Sequence, residues 1–166
     1  MTANLVNPVL RQADDAEVLG AGSNEVRLLL DASATDSAIS LQEVRLADGA
    51  DGAQPHFHTR SHELFYVVEG ELQVLLDDTI TTLAAGGALV VPKRLPHAFG
   101  ATPGISTRLL VTLTPGVERF EYFRLLARIE RGEATVQNLL DSQETYDTYF
   151  VDSPRWRAER AAGHVR

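Results

Sequence analysis

The stretch PHFHTRSHELFYVVEG, residues 55–70, holds three of the chain's five histidines and a glutamate within eight residues. His56 and His58 are separated by one residue. On an extended strand such positions face the same way, with Cα atoms about 6–7 Å apart. Two neutral imidazoles at that separation can meet on one cation, at bond lengths of about 2.0–2.1 Å. Glu63 follows His58 after a short segment, Thr59-Arg60-Ser61-His62, that can turn and bring it back on a paired strand facing the same interior. The two-residue period of that strand puts Glu63, Phe65 and Val67 on one face and His62, Leu64, Tyr66 and Val68 on the other. His62 is therefore expected to point away from the site that His56, His58 and Glu63 share. A His-x-His pair taken alone is ordinary. Glu63 and Gly70 at matching offsets give it weight.

The composition limits what such a site can be. Cysteine is absent, which excludes disulfides, thiolate zinc sites, Fe–S clusters and cysteine nucleophiles. Any transition-metal site must use nitrogen and oxygen donors. Lys and Arg number 15 against 23 Asp and Glu, a net charge of −8. That balance disfavours nucleic acid and anionic membranes as partners. The first residues, MTANLVNPVLRQADDAEV, have no basic segment followed by an apolar run, and no stretch approaches a transmembrane span. A cytoplasmic protein is expected. The 166 residues, 44% of them apolar, suit one domain with a real core, or one domain plus an appendage.

The elements that must position these residues are mostly strands. Before Pro115, short β-prone runs alternate with turn residues: 26–31, 38–47, 55–58, 63–70, 71–76, 79–84, 88–92, 97–101 and 106–114. Turns are expected at Asp48-Gly49, Glu69-Gly70, Asp77-Asp78 and Gly86-Gly87. Many short strands at close spacing imply an antiparallel sandwich or barrel. After Pro115 the period becomes helical. Val117, Phe120, Phe123, Leu126 and Ile129 recur every third residue, and Gly132 can stop that helix. EATVQNLLDS follows, and Ser153 then offers an N-cap with Pro154 at the first position of a last helix. The expected organisation is a β-domain over 1–114 and a helical tail over 115–166, packed outside the barrel or over its mouth. Its helices are too short to stand alone.

His56, His58, Glu63 and Gly70 reproduce the spacing of the first cupin motif at every step. The segment GGALVVPKRLPHAFGA resembles the second motif at Gly86, Pro92 and His97. It departs at Arg94, where Gly is usual, and at Ala101, where Asn is usual. Arg94 questions the local turn, because Gly takes positive φ freely and Arg does not. The chain thus resembles a single-domain bacterial cupin. The resemblance implies an all-β, double-stranded β-helix (jelly-roll) barrel with a C-terminal helical extension. It also implies one divalent transition metal held by His56, His58, Glu63 and His97. Three imidazoles and a carboxylate suit Fe, Mn, Ni, Co, Cu or Zn. TPGVERFEYF, residues 114–123, further resembles the barrel-to-helix junction of quercetin-dioxygenase-like cupins.

The first functional expectation is a metal-dependent dioxygenase-type oxidoreductase on a small aromatic, flavonol-like or polyketide-like substrate. Glu63 would be both ligand and acceptor of a substrate proton. The alternatives are a non-redox metal-dependent cyclase, isomerase or dehydratase, and a non-catalytic small-molecule-binding cupin. Phe65, Phe99, Leu75 and Val91 are expected to line the barrel. Tyr66, Lys93 and Arg94 are surface residues that could meet a substrate or a partner subunit. Arg60 is expected to be solvated, His164 without a role, and Trp156 the anchor of the last helix. A homodimer is expected, because a lone barrel leaves sheet edges and an apolar outer face uncovered.

Overall fold

The computed structural model describes residues 7–20 and 22–163. His164 lies outside them, as do the first six residues of the N-terminal stretch. The strands are β1 (Val18–Leu19), β2 (Asn24–Leu30), β3 (Ser40–Leu46), β4 (His56–Phe57), β5 (His62–Glu69), β6 (Glu71–Leu76), β7 (Thr79–Ala84), β8 (Ala88–Val91), β9 (His97–Ala101), β10 (Thr107–Thr114) and β11 (Tyr149–Phe150). The helices are α1 (Phe120–Glu130), α2 (Val136–Asp141), α3 (Gln143–Tyr146) and α4 (Pro154–Gly163). Two antiparallel sheets face each other, one in the order β1-β2-β3-β10-β5-β8 and the other in the order β11-β4-β9-β6-β7. This is the expected jelly roll with a C-terminal helical segment.

The alternation in β5 sets the inside of the barrel. Glu63, Phe65 and Val67 are buried, whereas His62, Leu64 and Val68 are half-buried and Tyr66 is exposed. Phe65 and Val67 pack with Val44, Leu72, Val74, Val91, Phe99 and Val111 from both sheets. Leu75 corrects the expectation: it lies on the outer face of β6, where it packs with Ala98 and Trp156. The same two-residue period that turns Leu72 and Val74 inward turns Gln73 and Leu75 outward, and α4 covers them. Gly70 closes the β5–β6 turn at φ +80°, and a Cβ there would collide with the Ser106 carbonyl oxygen. Only glycine fits.

The tail is more deeply integrated than an outer layer. Trp156 anchors α4 as expected, and Ser153 Oγ accepts the Trp156 amide at 3.2 Å. From the same helix, the buried Arg160 donates to Asp51, Gln73 and the carbonyls of Gly49 and Ala101. α1 starts three residues later than the periodicity suggests. Its cap comes from elsewhere: the Asp31 carboxylate accepts the Arg119 and Phe120 amides at 2.6 and 3.1 Å. The residues buried on α1 are Tyr122 and Ala127, neither in the expected every-third-residue set. Steps of three fall behind a 3.6-residue turn, so that set spreads round the helix instead of forming one face. Arg94 keeps the turn that a motif glycine would make. It sits at φ +71°, and its amide donates to the His58 carbonyl at 2.6 Å. No helix among the described residues is long and apolar enough to cross a membrane.

Candidate metal centre and adjoining cavity

His56 on β4 and His97 on β9 are direct cross-strand partners. Glu63 enters from β5 in the opposite sheet, and His58 from the loop after β4. All four are buried, and one ligand atom from each lies within 4.8 Å of the others. His62, half-buried, is not in the group. Parity along β5 therefore separates the two neighbours as expected.

The three imidazoles are oriented alike. Nδ1 of His56 donates to the Gln54 carbonyl at 2.7 Å, Nδ1 of His58 to the Asp147 carbonyl at 2.5 Å, and Nδ1 of His97 to the Leu95 carbonyl at 2.8 Å. A carbonyl can only accept, so each ring carries its proton on Nδ1 and turns an Nε2 lone pair inward. Those Nε2 atoms stand 3.8, 3.2 and 2.5 Å from Glu63 Oε2 for His56, His58 and His97. Four acceptor lone pairs converging in a buried place repel one another unless something positive sits among them. Either an extra proton or a cation satisfies that set, and a divalent transition ion satisfies all four donors at once. The residues therefore fit a metal.

The electrostatics of His56 and Glu63 agree in direction. Burial, with the other two histidines beside it, pushes His56 well below its ordinary pKa, which favours a neutral ring. Burial alone would raise Glu63, but the charge and hydrogen bonds of His58 and His97 outweigh it and keep the carboxylate ionised. For His97, burial lowers the pKa, but the hydrogen bond and charge of Glu63 together with the Leu95 carbonyl outweigh it and raise the pKa, the direction of the extra proton.

Several residues of the site escaped sequence reasoning. Asp147, fully buried in the left-handed region at φ +51°, joins the tail to the metal loop. Its carboxylate accepts the Thr59 amide, the Thr59 hydroxyl and the Arg60 amide at 2.9, 2.5 and 2.8 Å. These bonds outweigh burial and hold its carboxyl below the ordinary range. Arg60, expected to be merely solvated, also donates to the Glu144 and Thr145 carbonyls. An Asp beside a β-prone TYF run is the one sequence signal for this tether, since Asp tolerates the left-handed region better than most.

His56 and Glu63 also line a cavity of about 310 Å³. Val44, Phe99 and Val111 form barrel walls, while Phe123, Leu126 and Phe150 come from the tail. Arg119 and Tyr122 line it too. Both lie in the junction segment 114–123, whose apolar spacing singles out Phe120 and Phe123 instead. Tyr66, Lys93 and Arg94 are exposed and do not line the cavity.

The comparisons with known proteins agree with this architecture. A family profile described as a cupin domain matches residues 42–113. Protein SchB of Streptomyces halstedii is 29% identical over 102 residues, 61% of this chain and 74% of that one. Polyketide synthase CurC of Streptomyces cyaneus is 37% identical over 60 residues, and this match spans 36% of this chain and only 39% of CurC. Among solved structures, the polyketide cyclase RemF from Streptomyces resistomycificus superposes with a TM-score of 0.54 at 25% identity, covering 66% of this chain and 80% of RemF.

Proposed function

We propose that this chain, whose residues 42–113 match the cupin-domain profile, is a metal-dependent enzyme of proton transfer. On this reading it promotes cyclisation, isomerisation or dehydration of a small aromatic or polyketide-like substrate. The observation that carries the reading is the juncture of the donor cluster with the apolar cavity, which His56 and Glu63 line together. Clefts and cavities of roughly 300–1,000 Å³ with a mainly apolar lining suit small organic ligands. Similarity to the cyclase RemF and to CurC supports a polyketide-like substrate.

His56, His58, Glu63 and His97 would hold one divalent ion. The bound ion supplies Lewis-acid polarisation of a substrate oxygen. Glu63 supplies the base. All three imidazoles address Oε2, and among the described residues no hydrogen bond falls on Oε1. Oε1 is thus placed to accept a proton from an acidic C–H or O–H in the cavity. Phe99, Phe123 and Phe150 exclude water and present flat apolar faces to a ring.

The dioxygenase-type reading uses the same four donors, which suit iron and manganese as readily as zinc. The separating experiment is turnover of polyketide phenols and flavonols by metal-reconstituted protein, in air and under anaerobic conditions. Proton-transfer chemistry persists without O₂ and with zinc. Activity that stops when O₂ is removed establishes the oxygenase instead. A protein that binds these compounds yet converts none, in both the parent and an E63Q variant, is a binding module. Homodimerisation also belongs to the proposal, because β1, β7, β8 and β11 are edge strands. A monomer by light scattering would remove it.

A further inference from the structure

Arg119 is a buried cation whose structural role leaves much of its hydrogen-bonding capacity unused. The residue is 4% exposed. Nη1 donates to the Tyr146 carbonyl at 3.1 Å and to Thr148 Oγ1 at 2.7 Å. Nε has no hydrogen-bond partner. The guanidinium carbon lies 4.0 Å from the centroid of the Tyr122 ring and 5.4 Å from that of Phe123. These acceptors are neutral, as is the Tyr122 hydroxyl that also bonds this side chain, and among the described residues no carboxylate forms an ion pair with this guanidinium. A charge removed from water in this way is costly unless something negative meets it. The Tyr122 face offsets part of that cost.

The location matters as much as the missing partner. Arg119 lines the same cavity as His56 and Glu63. Tyr122 is also on that lining, its ring beneath the Arg119 guanidinium. The remaining lining is mostly apolar, with Glu130 at an exposed position.

We propose that Arg119 is the anion-recognition residue of this cavity, and that the ligand is an aromatic or polyketide-like compound carrying an ionised oxygen: a carboxylate, enolate or phenolate. The inference rests on reading the cavity as a substrate site, and it deepens that reading by naming a charged group on the substrate. A planar fork with unfilled donors, held in a low-dielectric wall, gains most from an oxygen anion placed in its plane. An apolar ring system attached to that anion would then lie against Phe99, Phe123 and Phe150.

The test uses a charged and a neutral probe of nearly the same shape, 2-naphthoate and 2-naphthamide. Their dissociation constants are measured by calorimetry on metal-loaded parent protein and on R119K, R119Q and R119M. Metal content and melting temperature are recorded for each sample, because Arg119 also ties α1 to the segment that holds His58. The parent is expected to favour naphthoate by at least about tenfold. R119K keeps most of that preference, and R119Q and R119M cut the ratio by about tenfold at unchanged metal content. A preference contributed by the metal alone would be the same in all four proteins, and that result overturns the inference. A parent ratio within about twofold of unity overturns it even if no variant folds. The enzyme reading fails separately: intact discrimination by Arg119 with no turnover on any substrate removes the reaction and leaves the recognition site standing.

Discussion

The His58 ring is oriented by a carbonyl 89 residues further along the chain, that of Asp147. The Asp147 side chain in turn gathers the Thr59 and Arg60 amides, so one residue fixes both the imidazole and the loop that carries it. Partners of a ligand's second nitrogen set its tautomer and basicity, and their loss typically costs about 10–100-fold in metal affinity. D147A leaves the carbonyl but releases the loop. It is expected to lower metal affinity by about that factor, read by competition with a chelator, and to cost about 2–4 kcal/mol of stability. D147N, which keeps one acceptor oxygen, should lose less on both counts. Unchanged affinity in D147A would mean that the loop holds His58 without the tether.

Among the elements, α4 and β6 give the clearest case of covered outer surface. Trp156 closes over Leu75 and Ala98, and Ala98 is the neighbour of His97 on β9. W156A is expected to cost about 3–5 kcal/mol, a drop of roughly 6–20 °C in melting temperature for a chain of this size. It should leave metal stoichiometry intact, since His97 is also pinned by its cross-strand partner His56. A melting temperature within a degree of the parent would show that α4 does not bear on the barrel. The strands β2 to β10 were legible in the sequence to within about two residues, because alternation and turn residues are local signals. β1 and β11 were not: each is two residues long, too short to show a period. The start of α1 was equally hidden, since its cap arrives from Asp31. The wall residues Arg119 and Tyr122 were missed because strict steps of three spread round the helix, reaching Phe123, Leu126 and Ile129 on the cavity but passing over the two polar residues beside them.

At the scale of the whole molecule, the barrel supplies all four candidate ligands and the tail completes what surrounds them. Phe123, Leu126 and Phe150 wall the cavity, β11 extends the second sheet beyond β4, and Arg160 satisfies carbonyls of the barrel rim. A chain ending at Thr114 is therefore expected to lose cooperative thermal unfolding, checked by calorimetry. A sharp transition near that of the full protein would make the tail dispensable. The candidate ligand set is legible in the sequence, since two short motifs carry it. The Gln54 and Leu95 carbonyls that orient His56 and His97 lie two residues from their rings, but the Asp147 tether of His58 is not legible, because it arrives by contacts 87 to 89 residues apart that no local pattern encodes.

On the proposed reading, His56, His58, Glu63 and His97 form one metal centre from which His62 is excluded. Elemental analysis of freshly purified parent protein, H97A and H62A tests it most directly. About one divalent transition ion per chain is expected in the parent and in H62A, and a sharp loss in H97A. A metal-free parent that cannot be reconstituted, or an equal loss in H62A and H97A, would contradict it.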